Sequence, residues 1–536
     1  MKLFQKLLLA PAALGLMAPV AASAADLNIA GVSQYGSEEQ VTSITQFSDV
    51  QPTDWAYQAL SNLIERYGCV AGYPNGTYRG GRAMTRFEAA ALLNACLDRI
   101  TEVTDELKRL MKEFEKELAV LKGRVDGLEA KVAELEATQF STTTKLKGLA
   151  TFVLGANAFG GSNSALVDEA KNVAGATAFA YDVRLIFDTS FTGKDLLRTT
   201  LRAGNFGASP WSGQPVGANG ANTALNALEV AFQEGEAASN TVGINRLFYQ
   251  FPVGDKVTVT VGGRVRQDDM LAMWPSVYPA DTVLDVFTYA GSPGTYSLNL
   301  GAGAGIWYQD NGWSFSLNYV SSNAQFGNPN EGGIGTDGAN QTFTAQIGYA
   351  GDNFGAAVAY NYGNGVGPAS GTPASVLLGV ASGSNNSVAV SAYWQPSNSG
   401  FIPSISAGWG ITGYSTDDDA FNFDGATANS WYVGLQWDDA FVKGNALGMA
   451  LGQPTFLTAC GNLRTRTTIC GDSPKDGNWA WEWWYKFQVT DNISVTPALY
   501  YLSNPLGHLG WLDNGRKNDS APLNNFGGII KTTFKF

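Results

Sequence analysis

Two groups of basic residues in this 536-residue sequence have types and spacings suited to binding charged groups. In the first group, Thr85 and Glu88 have the capping-box spacing, which predicts a helix beginning at Thr85. Arg86 then lies in the first turn, where free backbone N–H groups and a guanidinium together suit a carboxylate. Arg79 follows a glycine-rich turn and is a second candidate for this site. The alternative is that Arg86 and Glu88 only cap and pair.

The second group consists of arginines in a later, weakly charged part of the chain: Arg184, Arg198, Arg202, Arg246, Arg264 and Arg266. The segment that follows them carries four acidic candidates: Asp268, Asp269, Asp281 and Asp285. A basic wall that faces an acidic loop across an opening would select ions, as charged rings do in pores. The alternative is that the arginines pair with Asp182, Asp188 or Glu229 and only hold a wall together.

Neither an enzyme nor a metal site is indicated. His508 is the only histidine and lies in a predicted external loop, so no base is evident for a nucleophile. The Gly-x-Ser-x-Gly nucleophile motif does not occur. We therefore predict no catalytic residue, no metal and no cofactor. The formal net charge of −13 also argues against a nucleic-acid partner.

The N-terminus predicts secretion. Lys2 and Lys6 precede an apolar run that ends in Ala22-Ser23-Ala24, which is typical of a signal peptide, here 1–24. Cysteines in an oxidising compartment favour disulfides over free thiols. The expected bridge is Cys460–Cys470, within a polar loop, and Cys69–Cys96 is a second candidate pair.

The first basic group belongs to helical modules. After a linker (25–46), two helices joined by a glycine-rich turn are predicted over 47–97, a length that buries little core alone. Over 98–139 apolar residues recur at heptad spacing, which predicts a coiled coil. A coiled coil needs partner helices, so we predict an oligomer, with a homotrimer as the preferred state.

The second group belongs to 140–536, which we predict to be mostly β. The chain carries 63 glycines and only 15% charged residues, against about 25% in soluble proteins. In sixteen segments, apolar and polar residues alternate. Short turns and long loops connect these segments alternately, which is the pattern of an antiparallel transmembrane β-barrel. Two further apolar segments, 226–232 and 283–290, are placed within long loops; if both are strands, the count is 18. On composition alone, a secreted β-sandwich is the alternative.

Alternation along each strand also predicts which side chains face the lumen. In the strand near 256–266, the predicted outward residues are Val257, Val259, Val261 and Val265. Lys256, Arg264 and Arg266 are predicted to face inward on that strand. In the last strand, Phe534 and Phe536 are predicted to face lipid.

Residues 47–97 resemble the S-layer homology (SLH) domain. The matching landmarks are Phe47, Asp49-Val50, Trp55-Ala56, Gly72-Tyr73, Gly76, Tyr78-Arg79 and Thr85-Arg86-Phe87-Glu88. That family binds cell-wall polysaccharide, often pyruvylated and attached to peptidoglycan. The resemblance implies six binding residues: Trp55, Gly72, Arg79, Thr85, Arg86 and Glu88. Members of that family usually carry three SLH copies in one chain. This sequence shows one copy, so a homotrimer would supply three.

The order of signal peptide, SLH domain, coiled coil and barrel resembles the cyanobacterial SLH-bearing porins. Their barrels resemble the carbohydrate-selective, OprB-like porins, and some members are labelled iron-uptake porins. The resemblance implies an outer-membrane protein in contact with lipid and lipopolysaccharide, with its SLH domain and coiled coil in the periplasm. It implies passive diffusion of small solutes, inorganic ions or sugars, together with tethering to wall polysaccharide. The alternative is mainly a tether whose barrel is nearly closed.

Overall fold

The chain divides into two compact units, 1–139 and 140–536. The computed structural model describes residues 43–54, 57, 60, 61, 64, 112, 113, 115, 143–213, 224–231, 240–280, 283–380, 383–398, 400–415, 425–460, 474, 476–507 and 523–536. The predicted signal peptide and most of the heptad segment lie outside these residues. No helix in the described ranges is long and apolar enough to cross a membrane.

In the first unit, the described residues form the start of a small core. A 3-10 turn at Ile44–Gln46 leads to Phe47, and both Ile44 and Phe47 are buried against Leu60 and Ile64. The backbone carbonyl of Asp54 accepts a hydrogen bond from the N–H of Tyr57 at 3.0 Å. Several predictions fall on residues outside the described part: Trp55, Gly72, Arg79, Thr85, Arg86 and Glu88, and the cysteines Cys69, Cys96 and Cys470.

The second unit is a closed antiparallel barrel in which each strand pairs with its sequence neighbours, and the first strand with the last. The strands of the first half are β1 (Thr144–Gly160), β2 (Ala178–Thr189), β3 (Leu196–Gly204), β4 (Gly243–Val253), β5 (Val257–Arg266), β6 (Leu300–Asp310), β7 (Trp313–Ser321) and β8 (Gln341–Ala350). Those of the second half are β9 (Phe354–Asn364), β10 (Ser384–Trp394), β11 (Ser404–Ser415), β12 (Ala426–Asp438), β13 (Ala446–Cys460), β14 (Trp479–Thr490), β15 (Ile493–Ser503) and β16 (Asn524–Lys535). The predicted sixteen-stranded barrel is confirmed.

Period-two alternation explains why these segments form a barrel. Outward side chains such as Phe179, Phe315 and Phe526 are exposed and apolar, as lipid contact requires. Inward positions on the same strands carry small or polar groups, such as Ser316 and Asn525. The seven short connections lie at the end of the barrel where β1 begins, here named the turn end, and the long loops lie at the other.

The two additional apolar segments are not barrel strands, so the count of 18 is wrong. Residues 224–226, 229–231 and 285–287 form short 3-10 turns inside the long loops. Leu228 and Leu284 are joined by an isolated antiparallel bridge, and both are fully buried. The segments are apolar because they pack inside the barrel, where burial rather than strand formation requires apolar side chains.

Within the described loop residues, two helices occur where no helix was predicted: α1 (Ser164–Ala174) and α2 (Pro373–Val380). The side chain of Asn163 caps α1 by accepting the N–H of Leu166 at 3.2 Å. Val167 and Ala170 of α1 pack in a buried cluster with Leu506. The cap and the apolar spacing of α1 were the signals available in the sequence.

Asp195 organises the β2–β3 turn and gives a pH prediction. Its carboxylate accepts hydrogen bonds from the N–H of Thr192 (2.8 Å), the hydroxyl of Ser190 (2.8 Å) and the hydroxyl of Tyr249 (2.7 Å). Burial favours the neutral acid, but these hydrogen bonds outweigh it and hold the pKa of Asp195 well below its usual range.

Because the folded-state pKa of Asp195 is lowered, its contribution to stability is present above the unfolded pKa and is lost as pH falls toward the folded pKa. We expect the free energy of unfolding to decrease on acidification below about pH 4. The decrease should be smaller in Asp195→Asn, measured by urea unfolding in vesicles at several pH values. Equal pH dependence in both proteins would contradict this role.

Candidate functional site

The inner face of β2 and β3 holds a compact ion-pair network. The strand register sets Arg184 directly opposite Arg202, so two like charges are neighbours. Asp182 lies between them and accepts from the Nε of both Arg184 and Arg202, each at 2.7 Å. Arg184 also donates to Glu229 at 3.2 Å. A shared carboxylate is what allows the two guanidinium groups to lie side by side.

Closer to the turn end, beyond the pair Ile186–Thr200, the same two strands carry a second ion pair. Asp188 lies opposite Arg198 and accepts two hydrogen bonds from its guanidinium, at 2.8 and 3.0 Å. Lys147 of β1 donates to the same carboxylate at 2.9 Å. Bidentate pairing of this kind fixes the orientation of the arginine as well as its charge.

A second cluster lies where β5 ends and the following loop begins. Arg246 donates to Asp269 at 2.5 Å, and Arg266 donates to Asp268, also at 2.5 Å. The backbone N–H of Arg266 donates to Asp269 at 2.9 Å, so the loop is tied to the strand it leaves. The two predicted acidic residues therefore neutralise arginines beside them.

These contacts change the predicted basic wall. Five arginines (Arg184, Arg198, Arg202, Arg246 and Arg266) contact five carboxylates (Asp182, Asp188, Glu229, Asp268 and Asp269) in the described residues. The pairing alternative therefore describes the geometry, and the wall is close to charge balance. It is not dry, because the side chains of Arg184, Arg198 and Arg266 remain 25%, 33% and 32% exposed.

Arg264 does not belong to this wall, and its predicted inward orientation is wrong. It pairs with Leu247, whose side chain is exposed on the outer face, whereas Val265 is fully buried beside Phe248. The register shifts at Gly263, where one extra residue is inserted. The extra residue turns Val265 inward, so its predicted outward orientation is also wrong. Arg266 is the last residue of the strand, and its side chain pairs with Asp268 of the loop that follows.

Asp285 makes its side-chain hydrogen bonds within its own loop. It is buried in the loop interior, where the hydroxyls of Thr288 and Tyr289 donate to its carboxylate. Asp281 lies outside the described residues, as does the Cys470 partner of the predicted disulfide. Asp285 thus holds the fold of its own loop.

The loop between β5 and β6 (267–280 and 283–299), named the inner loop, lies inside the barrel: its first residues pair with Arg246 and Arg266, and its later residues contact the wall formed by β10, β11 and β14. Glu482 of β14 is fully buried and accepts from the hydroxyl of Tyr278 at 2.6 Å and the N–H of Leu284 at 2.7 Å. On β11, Ser406 accepts the N–H of Tyr278 at 3.0 Å. On β10, Ser391 donates to the carbonyl of Ala290 at 2.7 Å. The loop is therefore fixed at several strands.

Glycines on the inner wall leave room for this loop. A Cβ at Gly408 would lie 1.9 Å from the carbonyl oxygen of Ala290, closer than any real contact allows. At Gly434 a Cβ would lie 2.6 Å from the ring of Tyr278. The wall and the loop backbone thus touch without intervening side chains, which explains part of the high glycine content.

Buried aromatic groups and partly exposed charged groups occupy different parts of the lumen. Aromatic groups that reach it from wall and loops are buried, with 0–4% exposure: Trp211, Tyr278, Tyr432, Trp484 and Tyr500. Their polar atoms are occupied too, since Trp211 donates to Tyr500 at 2.9 Å and Trp484 donates to Tyr278 at 2.8 Å. Exposed charge remains along β1 to β5, so this side is the candidate passage.

Glu482 is a site residue that the sequence analysis did not identify. The signal was a single carboxylate in an otherwise aromatic strand, Trp479–Thr490, since a buried charge needs partners. Tyr278 and Gly408 carried no such signal, because their importance follows from contacts across the barrel.

Two family models match the chain. The carbohydrate-selective porin, OprB family, matches residues 102–536, and the S-layer homology domain matches residues 46–90. The first match covers the whole barrel, and the second covers most of the predicted SLH segment.

Relatives are similar over nearly the whole chain. An uncharacterized protein of Nostoc sp. (alr4550) is 35% identical over 545 residues, covering 93% of this chain and 86% of the relative. An uncharacterized protein of Synechocystis sp. (sll0772) is 31% identical, covering 94% and 93%. The outer membrane protein SlpA of Deinococcus radiodurans is 36% identical over 104 residues, 18% of this chain and 9% of the relative.

Among solved structures, the OprB of Pseudomonas putida aligns with 75% of this chain and 96% of its own, at 11% identity and a TM-score of 0.43. The family model, the two relatives that match over nearly the whole chain, and the closed barrel all indicate the same family. The chain is an outer-membrane porin with an SLH domain and belongs to the OprB family of carbohydrate-selective porins.

Proposed function

We propose that the barrel is a narrow diffusion channel for small solutes, chiefly inorganic ions, along the inner face of β1 to β5. The observation that carries this proposal is the contrast between the two parts of the lumen. Arg184, Arg198 and Arg266 keep a quarter to a third of their side chains exposed, whereas the later residues of the inner loop contact the wall formed by β10, β11 and β14. A polar, charged strip of this kind lowers the barrier for ions.

A carbohydrate-selective channel is the second candidate, because the family description names carbohydrate selectivity. Sugars are usually held by aromatic faces and by hydrogen-bonding groups that remain free to contact them. The lumenal aromatics Trp211, Tyr432 and Trp484 are buried at 0–4% exposure and offer no such face. Ions therefore suit this lumen better than sugars.

We also propose that the SLH domain and the coiled coil lie in the periplasm, and that the SLH domain binds pyruvylated, peptidoglycan-linked polysaccharide through Thr85, Arg86 and neighbouring residues. The matched SLH model over 46–90 supports binding to the wall. A homotrimer would supply three SLH copies, and the barrel would contact outer-membrane lipid and lipopolysaccharide. Tethering and diffusion are two roles of one molecule. The proposal makes no use of a catalytic group.

Single-channel recording in a planar bilayer under a salt gradient tests the channel. We expect stepwise currents in groups of three and weak ion selectivity, because the wall is near charge balance. Arg198→Gln should shift the reversal potential toward cation preference, since it removes a partly exposed positive charge from the passage. Lys256→Gln is the matched control, because Lys256 pairs with Asp310 in an exposed turn-end contact.

An unchanged reversal potential in Arg198→Gln would place the ion path elsewhere. Folded protein that gives no current steps would leave the tether as the main function. Sugar flux in vesicle swelling that exceeds ion flux would favour the carbohydrate channel.

A further inference from the structure

The turn end of the barrel is not uniformly polar. Four of its seven connections carry only polar residues and glycine: Gly254-Asp255-Lys256, Asn311-Gly312, Gly351-Asp352-Asn353 and Asp491-Asn492. The β2–β3 turn exposes one large apolar side chain, Phe191 at 65%, whereas the β10–β11 and β12–β13 turns expose two each. Phe401 is 97% exposed and Phe441 is 88% exposed, with Ile402 and Val442 beside them at 60% and 59%.

These side chains form one surface because their turns are neighbours. β11 and β12 are paired, so the two turns lie side by side at the rim. Trp437 at the end of β12 donates its indole N–H to the carbonyl of Phe401 at 2.8 Å, which fixes the first turn to the second hairpin. We name Phe401, Ile402, Phe441 and Val442 the rim patch.

The rim patch continues the outward aromatic face of the barrel. The ring of Phe441 lies 6.0 Å from that of Tyr485, and Tyr485 lies 4.5 Å from Phe487 on β14. Phe487 and Trp394 are themselves exposed on the outer face, at 45% and 40%. Outward aromatics near the strand ends of a transmembrane barrel sit at the membrane–water interface.

We propose that the rim patch inserts into the phospholipid bilayer, so that the β10–β13 flank of the turn end lies deeper than the flank with polar turns. The continuity with the outward aromatics favours lipid over a protein partner. Lys443, exposed next to Val442, suits the phosphate of a headgroup above the buried rings. Burial of such rings in lipid removes apolar area from water, which is favourable. The polar turns expose little apolar area and would gain nothing from insertion.

Photo-crosslinking tests this proposal in the full chain. The residue p-benzoylphenylalanine replaces Phe401 or, in a second variant, Phe441; both changes keep an aromatic ring at an exposed position. The matched control carries it at Asp255, in a polar turn of the same end. Each protein is reconstituted in palmitoyl-oleoyl phosphatidylcholine vesicles, shown to be folded by heat-modifiable gel migration, irradiated and analysed by mass spectrometry.

We expect phospholipid adducts at 401 and 441, several-fold more abundant than at 255. Crosslinks to a second copy of the chain, or to residues 1–139 of the same chain, would overturn the proposal in favour of a protein occupant. Absence of adducts, or equal lipid adducts at 401 and 255, would also overturn it. None of these results depends on whether the barrel conducts.

Discussion

Replacing Gly408 by valine is expected to widen the channel. A Cβ at this position would meet the carbonyl of Ala290 at 1.9 Å, and neither backbone can move without breaking strand pairing or the loop's hydrogen bonds. The inner loop is held by side-chain contacts and by a few backbone hydrogen bonds to other loops, whereas β11 is held by continuous ladders to β10 and β12. The loop should therefore yield, and we expect conductance to rise by roughly two-fold as the filled part of the lumen opens.

The same strand offers a matched control for this experiment. Gly413→Val adds an equal volume to β11, but its Cβ would meet only the carbonyl of Asn386 at 4.0 Å. We expect the conductance of that variant to match the parent. If Gly408→Val folds and conducts like the parent, the inner loop does not set the cross-section.

Removal of the Asp182 carboxylate is expected to cause the largest loss of stability. Asp182 is 3% exposed and binds two guanidinium groups, one of which, on Arg202, is 6% exposed. Asp182→Ala leaves these two adjacent positive charges without their shared counterion. Breaking a buried pair in this way costs about 3–5 kcal/mol, to be measured as the free energy of unfolding in urea from vesicles.

Asp310→Ala is the comparison, since its pair with Lys256 lies in an exposed turn and should contribute little. A restoring double change, Asp182→Ala with Arg202→Met, should recover much of the loss, because it removes a buried charge together with its partner. Similar small losses for Asp182→Ala and Asp310→Ala would show that the network is solvated enough to be dispensable.

The barrel was predictable because its signals are local. Alternation over ten or so residues distinguishes a strand with two different faces, and turn residues mark where each strand ends. These signals located all sixteen strands. The apolar segments 226–232 and 283–290 lacked flanking turns of the right length. Adding either one alone as a strand would have made the strand count odd, so they were correctly placed in loops.

The candidate site was only partly predictable, for two physical reasons. Alternation fails at a bulge, so Arg264 and Val265 were assigned to the wrong faces beyond Gly263. Contacts across the lumen leave no local pattern, so the fixing of the inner loop by Glu482 was not foreseen. The arginines and their pairing with Asp182, Asp188 or Glu229 were both considered, but the choice between a basic wall and a charge-balanced wall required the register.

The pairing of β1 with β16 has a consequence for assembly. Fifteen of the sixteen pairings join strands adjacent in sequence, whereas this one joins groups such as Thr151 and Thr533, which are 382 residues apart. Until the β1–β16 pairing forms, the barrel is an open curved sheet with two free edges, and each edge can pair with another chain. Bringing the ends together costs chain entropy that no local contact offsets, so seam closure should be the slow step of folding. Aggregation would compete with that step, which makes the seam the point where assistance during membrane insertion matters most.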